Sequence, residues 1–269
     1  MPLAIRADHA VYYELRGQSG APVLVLLRGA GRTLEHWQRV CEELEDGFRL
    51  VLLDHRGVGR SDPLLGPYGT RDMAADVVAV LDAERIERAH VLGVSLGGMI
   101  AQHLAIDHPG RVDRLVLGGT SPGGAGAQRM NPWTAARLTR ARFRSAAIAA
   151  EVEAELLLSA EYRRRRPGVV DHWRQLGERY PVARATVLVQ LLAAMRHDTQ
   201  DALDGIRAPT LVVTSDRDRL VPPANSRLLA QRIPAAELVW IYGAGHDFAT
   251  ERPVDVARLL TGFLLESVP

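Results

Sequence analysis

Short apolar runs recur along the first half of the chain and alternate with stretches of helical periodicity. The runs have no polar face, which is typical of strands that are buried on both sides of a parallel sheet. They cover residues 23–27, 48–53, 91–94 and 112–117, after an alternating, antiparallel-type stretch at 11–15. Helical patterns lie between them, after Thr33, over 70–83 and from 99 to 107. This alternation predicts an α/β protein with helices on both faces of a mostly parallel sheet.

The alternation stops after Leu117. Residues 121–126 read Ser-Pro-Gly-Gly-Ala-Gly, and 132–204 are helical in pattern with no strand. The sheet pattern then returns, with strands at 209–214 and 237–241 and helices at 224–232 and 253–266. We therefore predict a core domain formed by 1–121 and 205–269, and a helical cap (lid) formed by 122–204.

Composition narrows the class of protein. Lys and Arg number 33 and Asp and Glu 32, a formal net charge of +1, so nothing favours binding to nucleic acid or to a membrane surface. Cys41 is the only cysteine, which excludes an intrachain disulfide, and its helical context predicts a buried thiol. The first residues lack a secretory pattern and no window has 18 apolar residues, so a cytoplasmic protein is expected.

A serine lies where one apolar run meets a helix. The segment Gly93-Val-Ser95-Leu-Gly97 has the Gly-x-Ser-x-Gly pattern of a nucleophile elbow, a sharp strand-to-helix turn that exposes the serine hydroxyl. A Cβ at Gly93 or Gly97 would crowd the neighbouring backbone in so tight a turn. The alternative is a glycine-rich turn whose serine only caps a helix, so the rest of the chain must decide.

Two further reactive groups follow later strands. An aspartate, at 216 or 218, comes after the strand at 209–214, and His246 comes after the strand at 237–241. The order Ser, Asp, His is the one found with a nucleophile elbow. A serine needs a base to accept its proton, a histidine has a suitable pKa, and a carboxylate fixes the tautomer of that histidine. The three strand ends therefore predict a catalytic triad.

With these residues the chain resembles the α/β-hydrolase superfamily over nearly its whole length, and most closely its small, capped, esterase- and lactonase-like members. The motifs that carry the resemblance are Gly93-Val-Ser95-Leu-Gly97-Gly98, Asp54-His-Arg56-Gly57-Val-Gly59-Arg-Ser61, Asp218-Arg-Leu-Val-Pro222 and Gly243-Ala-Gly245-His246. The resemblance implies an eight-stranded, mostly parallel sheet with a lid after the sixth strand. It favours Asp218 as the triad acid and leaves Asp216 to bond to backbone. It also makes the 54–61 loop a structural turn.

An oxyanion hole requires backbone N–H donors. One is expected at Leu96, directly after the nucleophile, and the resemblance places the other at Ala30. Members of the superfamily commonly have His-Gly before that position, whereas this chain has Arg28-Gly29. Arg28 could bind an anionic group of the substrate at the rim of the site, or it could form an ion pair that stabilises the loop.

The cap supplies the remaining candidates for substrate binding. Trp133, His172 and Trp173, with Arg28 and Gly29, could line the pocket, although core packing explains the cap residues equally well. Several cap arginines suit an anionic substrate, namely Arg137, Arg140, Arg142 and Arg144. The run 163–166 is four arginines, for which a solvated helix end is expected rather than an acidic partner. The histidines lack paired spacing for a metal, and no cofactor motif is present.

We therefore predict a serine hydrolase that cleaves a carboxylic ester, lactone or thioester of a small molecule through Ser95, His246 and Asp218. No cofactor or metal is required, and a monomer or homodimer is expected. One alternative is a non-hydrolytic or carbon–carbon-bond-cleaving enzyme of the same fold, such as a lyase, cyclase or haloperoxidase-like enzyme. Another is a ligand-binding receptor of this fold.

Overall fold

The computed structural model describes residues 2–6, 9–63 and 66–265. Within this part of the chain, eight strands form one sheet in the order β1-β2-β4-β3-β5-β6-β7-β8. The strands are β1 (Leu3–Arg6), β2 (His9–Gly17), β3 (Val23–Leu27), β4 (Arg49–Leu53), β5 (Ala89–Val94), β6 (Val112–Gly118), β7 (Thr210–Ser215) and β8 (Glu237–Ile241). The predicted fold is confirmed. β1, at the edge of the sheet, was not predicted.

Strand direction places the candidate residues at one edge of the sheet. β1 and β2 pair antiparallel, as do β2 and β4, and every later pairing is parallel. Leu27 at the end of β3 lies opposite Gly93, and Val94 at the end of β5 lies opposite Gly118. The segments that follow β3, β5, β6, β7 and β8 therefore leave the sheet at the same edge, where ligands bind in such folds.

The apolar runs are explained by two cores, one on each face of the sheet. Alternate side chains of β3 point to opposite faces, so Val25 and Leu27 join one core while Leu24 and Leu26 join the other. Helices α2 (Thr70–Ala83) and α3 (Leu96–Asp107) cover the first face. The second is covered by α1 (Gln38–Leu44), α10 (Phe248–Glu251) and α11 (Pro253–Leu265).

Five helices separate β6 from β7, and we call them the helical insert. They are α4 (Pro132–Arg142), α5 (Ala146–Leu157), α6 (Ala160–Arg165), α7 (Gly168–Arg179) and α8 (Arg184–Arg196). Residues of α4, α5 and α7, including Leu138, Ala154 and Trp173, form a small core together with Leu220 of the loop after β7. A single antiparallel bridge, Gly123 to Asp198, joins the two ends of this segment in the described chain. The insert after the sixth strand is thus confirmed, while the boundaries 122 and 204 stay predictions.

Helix starts differ slightly from the sequence pattern. The helix after Ser95 begins at Leu96 rather than Met99, because the turn at Ser95 leads directly into it. Thr33 precedes a 3-10 turn and its side chain bonds His36 instead of capping a backbone amide. Helix α9 (Pro223–Arg232) agrees with the pattern, and the predicted end of the last helix, Glu266, lies outside the described residues.

Candidate active site

Ser95 lies in a strained turn between β5 and α3. Its φ and ψ are 58° and −121°, a backbone conformation that residues other than glycine rarely adopt. The two flanking glycines leave no room for a methyl group. A Cβ on Gly93 would lie 2.3 Å from the carbonyl oxygen of Gly97, and one on Gly97 would lie 2.1 Å from that of Leu27. The backbone therefore folds tightly enough to expose the serine, as a nucleophile elbow requires.

His246 forms a buried pair with Asp218. The imidazole Nδ1 lies 2.7 Å from Asp218 Oδ2, and the side chains are 4% and 0% exposed. The other carboxylate oxygen accepts the amides of Leu220 and Val221 at 2.8 and 2.9 Å. Burial lowers the pKa of His246, but the adjacent Asp218 carboxylate outweighs it, so that the pKa lies above its ordinary value. The pair is thus held in one orientation.

Asp216, the other sequence candidate, is engaged elsewhere. Its Oδ1 accepts the amide of Gly243 at 2.6 Å and so ties the loop after β7 to the loop after β8. This is the backbone role that the resemblance implied for Asp216. Of the two aspartates, Asp218 is the one hydrogen-bonded to His246.

The end of β6 joins the serine to the histidine. Ser95 N–H donates to the carbonyl of Gly118 at 2.9 Å. A Cβ on the next residue, Gly119, would lie 3.4 Å from His246 Nδ1 and 3.3 Å from Asp218 Oδ2. Ser95, Asp218 and His246 therefore lie around the Gly118-Gly119 segment.

The loop after β3 packs against the serine. A Cβ built on Gly29 would lie 3.2 Å from Ser95 Cβ and 3.5 Å from its Oγ, so the next residue, Ala30, is close to the nucleophile. Leu96 is the first residue of α3, where an amide has no partner within the helix. Leu96 therefore follows Ser95 with an amide unpaired within the helix, and the loop that carries Ala30 approaches Ser95 at Gly29, while the oxyanion hole itself stays a prediction.

Two residues of the helical insert hold this loop. Arg142 Nη2 donates to the carbonyl of Ala30 at 2.8 Å, and Gln190 Oε1 accepts the amide of Gly31 at 2.8 Å. Gln190 is fully buried, so its bond is shielded from water. The insert therefore fixes the conformation of the segment that carries one predicted oxyanion donor.

Arg28 lies beneath this loop in an ion pair. Its guanidinium donates to both carboxylate oxygens of Asp247, at 3.1 and 3.0 Å, and lies 4.5 Å from the ring centre of Trp37. Its carbonyl is 3.0 Å from His55 Nε2. Burial raises the pKa of Asp247, but Arg28 and Arg32 outweigh it and the pKa is lowered. Of the two roles considered for Arg28, the loop-stabilising ion pair is the one that these contacts support.

The three cap candidates have different surroundings. Two cavities, of about 480 and 290 Å³, lie beside the helical insert. Trp133, at the start of α4, is 79% exposed and lines neither of them. Trp173 is buried and faces both cavities, whereas His172 faces one of them, a groove of about 480 Å³ beside α6. Contact of these residues with a substrate stays a prediction.

An arginine that the sequence patterns did not single out lies next to the loop. Arg32 is 6% exposed, and its guanidinium is 3.9 Å from the ring centre of Trp173. It lies 2.9 Å from Glu153, which also accepts a hydrogen bond from Arg142 at 2.9 Å. The signal in the sequence was a second charge in the short glycine-rich segment Arg28-Gly-Ala-Gly-Arg32, but its partners come from α4, α5 and α7.

A model of the alpha/beta hydrolase fold family matches residues 22–253, which include the turn at Ser95, Asp218 and His246. The chain belongs to the α/β-hydrolase fold family. The bounds of the match enclose the helical insert.

Several curated proteins similar to this chain are named "Putative carbamate hydrolase RutD". The protein from Azorhizobium caulinodans is 31% identical over 98% of both chains. The protein from Caulobacter sp. strain K31 is 34% identical over 94% of this chain and 95% of its own. The likeness therefore extends over the full fold.

Solved structures of the same fold superpose closely. The enol-lactonase from Burkholderia xenovorans LB400 has a TM-score of 0.87 and 28% identity, covering 98% of this chain and all of its own. Est816, described as an N-acyl homoserine lactone degrading enzyme, has a TM-score of 0.82 and 32% identity, covering 97% and 100%.

The single cysteine, Cys41, is buried. Burial raises the pKa of the Cys41 thiol to about 12, so the thiol is protonated at neutral pH. The described residues contain no group of three His, Cys, Asp or Glu side chains that could hold a metal ion. None of their helices has the length and apolarity that crossing a bilayer requires.

Proposed function

We propose that this protein is a serine hydrolase that cleaves a carboxylic ester, lactone or thioester of a small molecule. The observation that carries the proposal is the buried His246–Asp218 hydrogen bond of 2.7 Å beside the strained turn at Ser95. Residue types, order and placement at strand ends agree with a nucleophile, its base and the acid that orients the base. Relatives named as lactonases support an acyl substrate.

The reaction has two steps. Ser95 Oγ attacks the acyl carbon while His246 Nε2 accepts its proton, and the Asp218 carboxylate on Nδ1 stabilises the imidazolium. The carbonyl oxygen becomes an oxyanion and accepts hydrogen bonds from the backbone amides of Leu96 and Ala30. Each hydrogen bond lowers the activation free energy by about 3–4 kcal/mol. His246 then protonates the leaving alcohol or thiol. In the second step His246 takes a proton from water, which hydrolyses the acyl-enzyme and frees Ser95.

A fluorophosphonate probe followed by an ester assay tests the proposal. We expect the probe to label Ser95 and the protein to turn over p-nitrophenyl acetate, and we expect Ser95→Ala to lose both. Cys41→Ala is the control, because it removes another nucleophile without touching the site. Labelling of Ser95 with no turnover of any ester, lactone or thioester would contradict hydrolysis and favour lyase, cyclase or carbon–carbon cleavage. Tight ligand binding by Ser95→Ala and no turnover by the native protein would favour a receptor.

Carbamate hydrolysis is a second candidate, favoured by the names of relatives that are 31% and 34% identical over nearly the whole chain. The same serine and oxyanion amides can attack a carbamoyl carbon. Comparison of p-nitrophenyl acetate with p-nitrophenyl N,N-dimethylcarbamate separates the two, since the dimethyl compound cannot eliminate to an isocyanate. Sustained turnover of the carbamate supports this candidate, and a stoichiometric burst that stops at the carbamoyl-enzyme supports the ester hydrolase.

A further inference from the structure

Arg32 is a buried cation with an unpartnered donor. Its Nη2 forms an ion pair with Glu153 at 2.9 Å, while its Nε has no hydrogen-bond acceptor among the described residues. The flat guanidinium lies over the indole of Trp173, which fixes its plane. Buried guanidinium donors are normally satisfied, and Arg32 differs from Arg28 in that it also lines a cavity, so its unpartnered Nε points to a ligand there.

Positive charge exceeds negative charge around Arg32. The surrounding cluster contains three guanidinium groups (Arg28, Arg32, Arg142) and two carboxylates, of which Asp247 pairs with Arg28 while Glu153 serves both Arg32 and Arg142. Three positive and two negative groups leave one positive charge in excess. Burial is the main cause that lowers the pKa of Arg32. Glu153 and Asp247 oppose it, and Arg28 and Arg142 add a smaller lowering effect.

Arg32 lines a cavity of about 290 Å³ beside the loop that follows β3. Gly31, Arg32 and Arg142 line it, and Arg144, which is exposed, lies at its surface. The helical insert adds apolar side chains to its lining, including Ala146, Ala149, Ala150, Leu176 and Val187, and two carboxylates, Glu153 and Glu178. Gly31, which lines the cavity, is the residue after Ala30, the predicted oxyanion donor.

We propose that Arg32 and Arg142 form a carboxylate-binding subsite, so that the preferred substrate is an ester, lactone or thioester whose acyl part carries a second, anionic carboxyl group. The subsite rests on the proposed hydrolase function. The apolar walls receive the hydrocarbon between the two ends, and the guanidinium of Arg32 receives the carboxylate. Arg32 thereby determines specificity, while Arg142 also holds the loop through Ala30.

The test compares esters that differ only in that charge. The mono-p-nitrophenyl esters of glutaric, adipic and pimelic acid are each compared with the corresponding p-nitrophenyl methyl diester. We expect kcat/KM of the native enzyme to be about tenfold or more higher for the free acid at one chain length, mainly through KM. Arg32→Met should lower kcat/KM for that free acid by about tenfold to a hundredfold and change the diester by less than about threefold.

Two further variants separate recognition from structure. Arg32→Lys retains the charge and should recover part of the preference for the free acid. Arg49→Met removes a guanidinium at the opposite end of β4, where it pairs with Glu84, and should leave the preference unchanged. If Arg32→Met does not fold, the exposed Arg144→Gln, expected to reduce the preference by a few-fold, takes its place.

A binding measurement keeps the subsite testable apart from turnover. Calorimetry on Ser95→Ala should detect glutarate, adipate or pimelate but not their dimethyl esters, and Arg32→Met in the same background should weaken that binding by about tenfold or more. Equal turnover of acids and diesters, or an equal loss of both in Arg32→Met, would overturn the subsite while leaving the hydrolase in place. Absence of all turnover would contradict the hydrolase, and the calorimetry alone would then decide the subsite.

Discussion

Asp218 and Asp216 are two residues apart yet have separate partners. Asp218 accepts from His246, whereas Asp216 accepts from the amide of Gly243. We expect Asp218→Asn to lower kcat by about a thousandfold to ten-thousandfold, because an amide favours the wrong tautomer of His246. Asp216→Asn is the matched control and should change kcat by less than about fivefold, since its amide oxygen can still accept from Gly243. A comparable loss in both variants, at equal thermal stability, would refute the assignment of Asp218.

The pKa of His246 predicts the acid side of the activity profile. Only neutral imidazole can accept the Ser95 proton, so kcat/KM should fall as pH falls through the pKa of the free enzyme. Because Asp218 raises that pKa, the midpoint of the fall should lie above the ordinary value of about 6.5. Measurement of kcat/KM from pH 5 to 9 checks this. In Asp218→Asn the midpoint of the residual activity should move to lower pH, and an unchanged midpoint would show that another group is titrating.

The sequence could supply the three proposed triad residues but not Arg32. Ser95 follows β5 directly, and Asp218 and His246 lie in the short loops after β7 and β8, so the direction of the strands brings them to one edge. The surroundings of Arg32 depend instead on Glu153 and Trp173, which are more than 100 residues away and reach it only when the insert folds back over the sheet. No local periodicity encodes such a contact.

The turn between β5 and α3 is the element on which the nucleophile depends. We expect Gly97→Ala to destabilise the protein by about 1–3 kcal/mol and to abolish labelling of Ser95, because its Cβ would lie 2.1 Å from the carbonyl oxygen of Leu27. Gly262→Ala, inside α11 with nothing within 4 Å of the added Cβ, is the control. It should stabilise the protein by up to about 1 kcal/mol. Urea unfolding and probe labelling of both variants check this, and normal labelling of Gly97→Ala would contradict the tight turn.

The elements themselves followed from the sequence better than their junctions. Continuous apolar runs identified the strands from β3 to β8 because each lies between two cores. β1 was missed because it is a four-residue edge strand with Leu3 and Ile5 exposed, and its apolar run Leu-Ala-Ile is too short to predict a strand. The attachment of the insert to the loop after β3, through Arg142 and Gln190, could not be derived because it is tertiary.

The whole molecule combines a rigid two-faced sheet with buried histidines at the base of the insert. His197, at the end of α8, lies 3.0 Å from Thr70 on α2 and makes an edge contact of 5.2 Å with His103 on α3. Burial, with a smaller effect of His103, lowers the pKa of His197 to about 3. A buried histidine that stays neutral in the folded protein costs no stability as long as its imidazole is also neutral in the unfolded chain.

The sign of that contribution follows from proton linkage. Below the unfolded pKa of about 6.5 the unfolded chain binds a proton at His197 that the folded protein does not, so stability falls as pH falls toward 3. At about 1.4 kcal/mol per pH unit for one such group, His197 should remove about 1–2 kcal/mol between pH 6.5 and 5. Between pH 6.5 and 5, the free energy of unfolding of His197→Gln should therefore fall by about 1–2 kcal/mol less than that of the native protein. Urea unfolding at each pH measures this difference. His172→Gln, on the exposed face of α7, is the matched control and should retain the native slope. A parallel loss of stability in the native protein and in His197→Gln would contradict this prediction. It would mean that folded His197 binds a proton over this pH interval as the unfolded chain does, so that its pKa is not lowered.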